Sequence, residues 1–127
     1  MQLPLNLQPK FFPIPPDAAA KLILAARTAL GVDASMELTG AIMRALWAEE
    51  RNIADEDTLA QIATVCGFDG RMLLKSSETA GVLAQYERNT DDAIAANVFG
   101  VPWYVVNGDS FWGQDRLDFV ERALAKP

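Results

Sequence analysis

Only one stretch of this 127-residue chain carries strong strand chemistry, and it is too small to stand as a sheet by itself. Trp103-Tyr104-Val105-Val106 is aromatic and β-branched. Asn107-Gly108 is the preferred two-residue hairpin turn, because both residues tolerate positive φ, and Ser110-Phe111-Trp112 is the return strand. A lone hairpin is marginal in water. Val105 and Val106 are adjacent and both apolar, so both faces of the strand read as covered, the pattern of a strand inside a wider sheet. The alternation of Leu3, Leu5 and Leu7 is the one other strand-like signal. The chain therefore reads as α/β and predominantly helical.

Everything between arm and hairpin has helical texture. Residues 1–16 hold five of the seven prolines, with Leu3, Leu5, Leu7, Phe11, Phe12 and Ile14 among them. Proline removes amide donors and fixes φ, so this is an extended apolar arm that packs on something. Asp17 is the expected cap of a helix to about Leu30, stopped by Gly31, with Leu22, Ala26 and Leu30 on one face. A second helix is expected from Asp33 to near Asn52, with the apolar series Met36, Gly40, Met43 and Trp47. A third starts at Asp55 or Asp57, carries Leu59, Ile62, Ala63 and Cys66, and stops at Gly67. A short helix over Gly70 to Lys75 follows. Ser77 then caps a long one reaching Val98 or Phe99, with Leu83, Tyr86, Thr90, Ala93 and Asn97 on one side. After Gly113 a last helix is expected from Gln114 or Asp115, using Leu117, Val120 and Leu124.

Composition removes several classes of chemistry from this sequence. With 11 Lys plus Arg against 17 Asp plus Glu, the net charge is −6, and there is no basic block. Nucleic acid and anionic membrane are therefore not the expected partners. There is no His, hence no His general base, no Ser–His–Asp triad and no His-ligated metal. One Cys leaves no internal disulfide and no CxxC pair. The apolar runs are far short of a membrane span, no signal peptide is visible, and a reducing, cytoplasmic compartment is the expectation.

The informative residues surround the hairpin. Pro102 stands directly before the strand, where a cis bond would turn the chain and expose the carbonyl and amide of Val101. Free backbone groups at a sheet end dock an extended peptide by strand-like pairing. Gln114 and Asp115 open the last helix, whose first-turn amides favour an anion, while the Asp115 carboxylate accepts from an ammonium group. A ligand with an extended peptide core and an amino-acid-like end fits both features, and glutathione is such a ligand.

The stretch from Phe99 to Leu124, above all Gly100–Val106 and Phe111–Leu117, closely resembles the C-terminal end of the 2-hydroxychromene-2-carboxylate isomerases. These sit with the kappa-class glutathione transferases and, more distantly, the DsbA-like thioredoxin-fold proteins. Leu5-Asn6-Leu7-Gln8-Pro9-Lys10-Phe11-Phe12-Pro13 resembles the loop before that family's helical insertion. The resemblance implies a thioredoxin-like fold with a helical insertion, truncated at the N-terminus. It divides the chain into the Pro-rich arm (1–16), the insertion (17–77) and the C-terminal part of the thioredoxin-like domain (78–127). It also implies glutathione as cofactor, and isomerisation of a small aromatic catabolite by transient thiolate addition. By similarity, Val101 pairs its backbone with the cysteinyl part, Pro102 is the cis-proline, and Gln114 and Asp115 hold the γ-glutamyl end. Trp103 and Trp112 flank the pocket as its wall.

A full family member carries roughly 70 further residues ahead of the arm, including a βαβ unit and the Ser that stabilises the thiolate. No catalytic residue here matches that Ser, so this chain is expected to be incomplete and inactive alone. Its strand edge at Trp103–Val106 is expected to pair with something, which implies a homo-oligomer. Two rivals share the same residues: a DsbA-like oxidoreductase without its CxxC half, and a non-catalytic oligomerising module. Elsewhere Cys66 reads as a buried structural thiol, Trp47, Tyr86 and Phe99 as core, Lys10 as a solvated side chain, and Glu49-Glu50-Arg51 and Asp91-Asp92 as wet helix faces.

Overall fold

Pro16, not Asp17, is the residue from which the first helix springs. In the computed structural model, which describes residues 3–126, α1 (Asp17–Leu30) has Pro16 at its N-cap and no side-chain cap. Asp17 instead accepts a hydrogen bond from the Tyr86 hydroxyl at 2.7 Å. Gly31, at φ 99°, separates α1 from α2 (Val32–Trp47). Two caps follow the preference for short acidic side chains. Asp55 accepts from the Thr58 amide at 2.8 Å to start α3 (Glu56–Val65), and Asp69 accepts from the Met72 amide at 2.9 Å to start α4 (Gly70–Ser77). Ser77 ends α4 buried, its hydroxyl donating to the Leu74 carbonyl at 2.6 Å, so it is not the expected cap of α5 (Ala80–Ala95).

The chain divides into two compact units, Met1–Arg88 and Asn89–Pro127. In the first, Leu22, Leu38, Leu59 and Leu73 are fully buried, one from each of α1 to α4. On α2 the inward face is Ser35, Leu38, Ile42, Ala45 and Leu46. Met36 and Met43 are 65 % and 53 % exposed, and Gly40 is exposed, so the expected stripe lies outside the core. Both series repeat at helical spacing, and the more strongly apolar Leu38–Ile42–Leu46 series takes the interior. The helix also stops at Trp47, five residues before the expected end. Leu30 is exposed, whereas Leu59, Ile62 and Ala63 are buried as the third stripe requires.

The arm attaches by particular contacts. Phe11 and Ile14 pack on the core, Phe12 lies 4.8 Å from Trp47 between ring centroids, and the Asn6 amide donates to the Trp47 carbonyl at 2.7 Å. Leu3, Leu5 and Leu7 are exposed and form no strand, which corrects the expectation that this segment is sheet. Met1 and Gln2 of the arm, and Pro127 of the C-terminal segment, lie outside the described residues.

The second unit holds β1 (Trp103–Val106) and β2 (Asp109–Trp112), antiparallel, with Trp103 opposite Trp112 and Val106 opposite Asp109. Asn107 at φ 50° and Gly108 at φ 89° make the turn, the backbone that Asn-Gly accepts at least cost. A 3₁₀ turn (Gln114–Arg116) leads into α6 (Leu117–Leu124), which buries Val120 and Ala123. The last helix therefore begins two or three residues later than expected, after a turn that has Gly113 at its N-cap and no side-chain cap. The first-turn anion site expected at Gln114 and Asp115 is not formed by an α-helix.

Candidate functional site

One backbone hydrogen bond gathers the expected binding residues. The Gly113 amide donates to the Pro102 carbonyl at 3.0 Å, extending the hairpin ladder by one pair beyond Trp103 and Trp112. The turn at Val101-Pro102 and the turn at Gln114-Asp115 thus lie side by side, across one end of the hairpin. The Val101–Pro102 peptide is cis, as is Phe12–Pro13, which the sequence did not signal. Val101 is 87 % exposed, and its backbone has no hydrogen-bond partner among the described residues.

Gly113 has φ 101°, and a Cβ there would fall 2.5 Å from Asp115 Oδ1. The carboxylate therefore lies back over the glycine, and any side chain at 113 would displace it. Asp115 and Gln114 are both exposed. The arrangement is an exposed backbone bend with a carboxylate and a carboxamide beside it. Such a surface pairs with a peptide backbone and accepts from a cationic amine.

Trp103 and Trp112 are joined by a residue that sequence reasoning placed in the core. Phe99 is 71 % exposed, and its ring stands edge-on to Trp103 at 4.8 Å and 81°, and to Trp112 at 5.0 Å and 72°. These T-shaped contacts suit the quadrupoles of the rings. Gly100 is required by the same cluster, since a Cβ there would fall 2.5 Å from Trp112 Nε1. Trp103 Nε1 is buried and has no hydrogen-bond partner among the described residues. Trp112 is 52 % exposed. Periodicity carries no signal for Phe99, because it sits in the irregular link after α5 where neither helical nor strand spacing applies.

Other features of the molecule carry less chemistry. A cleft of about 430 Å³ in the first unit is lined by Glu37, Arg44, Glu49, Arg51 and Cys66 among others. Its charges balance, and none of the expected site residues lines it. Burial, with the Glu37 charge adding to it, pushes the Cys66 thiol up from its ordinary range, which leaves it protonated and slow to react. Among the described residues no group of three or more His, Cys, Asp or Glu is placed to hold a metal, and no helix is long and apolar enough to cross a membrane.

Comparison with known proteins converges on one family. The family model described as the DSBA-like thioredoxin domain matches residues 1–125. The 2-hydroxychromene-2-carboxylate isomerase of Sphingobium xenophagum is 30% identical over 100 residues, covering 79% of this chain and 51% of that protein. The isomerase of the same name from Pseudomonas putida is 27% identical over 85 residues, covering 67% of this chain and 42% of the relative. The chain thus spans about half the length of the curated relatives it matches. A solved structure of a 2-hydroxychromene-2-carboxylate isomerase superposes with a TM-score of 0.75 at 21% identity, over 96% of this chain and 57% of that one, a likeness of fold.

Proposed function

The chain belongs to the DSBA-like thioredoxin-domain family, and from that premise we propose that its second unit is the peptide-binding half of a glutathione-dependent isomerase acting on small aromatic compounds. The observation that carries this reading is the Gly113–Pro102 hydrogen bond, which sets the unpaired backbone of Val101 beside Gln114 and Asp115. In the proposed complex the cysteinyl backbone of glutathione pairs with the N–H and C=O of Val101. The Asp115 carboxylate accepts from the α-ammonium of the γ-glutamyl end, and the Gln114 carboxamide holds its carboxylate. Pro102 closes the turn beneath the ligand. The thiol then projects past the cis peptide toward the Phe99–Trp103–Trp112 cluster, where an aromatic substrate lies against the rings.

The chemistry is cis–trans isomerisation. The thiolate adds to a conjugated carbon and converts a double bond to a single one; rotation follows, and expulsion of the thiolate restores the double bond. The relatives' printed names support that substrate class for this chain. This chain's own part is to bind the peptide and orient the sulfur. It holds no hydroxyl that the resemblance matches to the thiolate-stabilising Ser, so the proposed outcome for the chain alone is binding without turnover.

Isothermal titration with glutathione tests the reading. Millimolar binding is expected from an open half-site, and Asp115→Asn should weaken it about tenfold, the value of one charge-assisted hydrogen bond. Equal affinity in the two proteins, or no heat at millimolar ligand, overturns it.

A further inference from the structure

The eight glycines of the chain do not serve one purpose. At five of them an added Cβ would stand in open space, and at Gly70 it would meet the main chain of a neighbouring helix in the first unit. Gly100 and Gly113 are different. Each would meet the polar end of one side chain, Gly100 the Trp112 indole nitrogen and Gly113 the Asp115 carboxylate, both at 2.5 Å. A contact that close is not kept, and what gives way is the side chain rather than the backbone. The two glycines also bracket one point of the fold. The Gly113 amide donates to the Pro102 carbonyl, and Gly100 stands two residues before that proline.

The two are glycine for different reasons. Gly100 is not among the positive-φ glycines, so room for the indole, and not backbone conformation, excludes a side chain there. Gly113, at φ 101° and ψ 149°, is in a region that favours glycine, and it also leaves the space that the carboxylate occupies.

On the glutathione reading of the hairpin end, we propose that Gly100 and Gly113 are positioning residues that set its two ligands independently. Gly113 lets in the Asp115 carboxylate, which takes the ammonium of the γ-glutamyl end. Gly100 lets in the Trp112 indole, the wall for the aromatic substrate. A methyl at either place displaces one of these groups and leaves the other where it is, because their supports are separate. Trp112 lies against Gly100 and the Phe99 ring, whereas Asp115 is carried by the 3₁₀ turn that follows Gly113.

Isothermal titration with three probes separates the roles. Glutathione reports Val101 and Asp115 together, cysteinylglycine lacks the γ-glutamyl end and reports Val101 alone, and 2-naphthoate reports the aromatic wall. Gly113→Ala should weaken glutathione about tenfold, as Asp115→Asn does, and leave the other two probes within about twofold of wild type. In an Asp115→Asn background it should cost less than about twofold more. Gly100→Ala should weaken 2-naphthoate about fivefold, the value of one aromatic contact, and leave glutathione within about twofold. In a Trp112→Phe background, where no indole nitrogen meets the methyl, the same change should cost less than about twofold. Strain at 113 that opened the ladder to Pro102 would lower cysteinylglycine binding too, which is how a merely structural role would show.

Ligand-free spectra keep the positioning separable from glutathione binding. Gly100→Ala should shift the Trp112 indole N–H resonance and not the Asp115 carboxyl carbon, and Gly113→Ala should do the reverse. A chain that shows these shifts but binds none of the probes overturns the peptide-binding reading and supports the positioning. Variants that shift neither signal, or that weaken all three probes alike, overturn the positioning.

Discussion

Replacing glycine by alanine should change stability in opposite directions at two places in the first unit. Gly70 is the first residue of α4 and is buried, and a Cβ there would overlap the backbone carbonyl of Ala60 in α3. The obstacle is main chain within a helix, so α4 must back away, loosening the packing around the fully buried Leu59 and Leu73. Overpacking of this kind costs about 2–3 kcal/mol. The gain in helix propensity offsets only about 0.3 kcal/mol of that, because the first helical position makes little use of it. Gly40 stands mid-way along α2, exposed, with nothing within 4 Å of an added Cβ. There only the propensity gain operates, about 0.5–1 kcal/mol. At roughly 4–8 °C per kcal/mol for a unit of this size, Gly70→Ala should melt about 10 °C lower and Gly40→Ala about 4 °C higher than wild type. Far-UV circular dichroism on heating and in urea reads both. A Gly70→Ala protein as stable as wild type, or a Gly40→Ala protein less stable than it, would refute the reasoning from local space.

Two titrations follow from named contacts. The hydrogen bond to Asp17, with burial and the Asp17 charge behind it, holds the Tyr86 phenol above its ordinary range. A raised folded pKa stabilises the protein fully below the unfolded value near 10 and loses that contribution as pH rises through the folded one. Tyr86→Phe should therefore remove an absorbance step that lies above the ordinary phenol range in an alkaline titration and flatten the alkaline loss of stability; a Tyr86 step at the ordinary phenol value in the wild type would contradict this. Cys66, pushed up by burial first and Glu37 second, should react with iodoacetamide several-fold more slowly near neutral pH than it does in urea, with Glu37→Gln recovering only the smaller part. A native rate equal to the unfolded one would contradict the burial account.

The parts of the fold that were legible are those decided by near neighbours in the chain. The hairpin could be read because Asn107-Gly108 dictates its own backbone, and the Leu59–Ile62–Ala63 stripe could be read because α3 has one apolar face only. Where two faces competed, local pattern did not choose. On α2 both the Met36 and the Leu38 series have helical spacing, and the larger gain from burying Leu38, Ile42 and Leu46 settled it in three dimensions. Ser77 and Asp17 have the chemistry of caps, yet each found a partner elsewhere, Leu74 and Tyr86, that sequence spacing alone could not reveal. At the candidate site, Val101, Pro102, Gln114 and Asp115 were named from sequence because they bracket the hairpin. Their adjacency follows from the ladder continuing to Gly113. Phe99 was misplaced in the core because an aromatic in an irregular link has no periodicity to show which side it faces.

The account rests on the claim that the end of the hairpin, rather than the charged cleft between α2 and α3, receives a peptide thiol. Backbone amide chemical shifts recorded during a glutathione titration test it residue by residue. The account predicts changes centred on Val101, Gly113, Gln114 and Asp115, saturating in the millimolar range, with the amides of α1 to α4 unmoved. Shifts centred on Glu37, Arg44 and Cys66 instead, or no shifts at all, would contradict it.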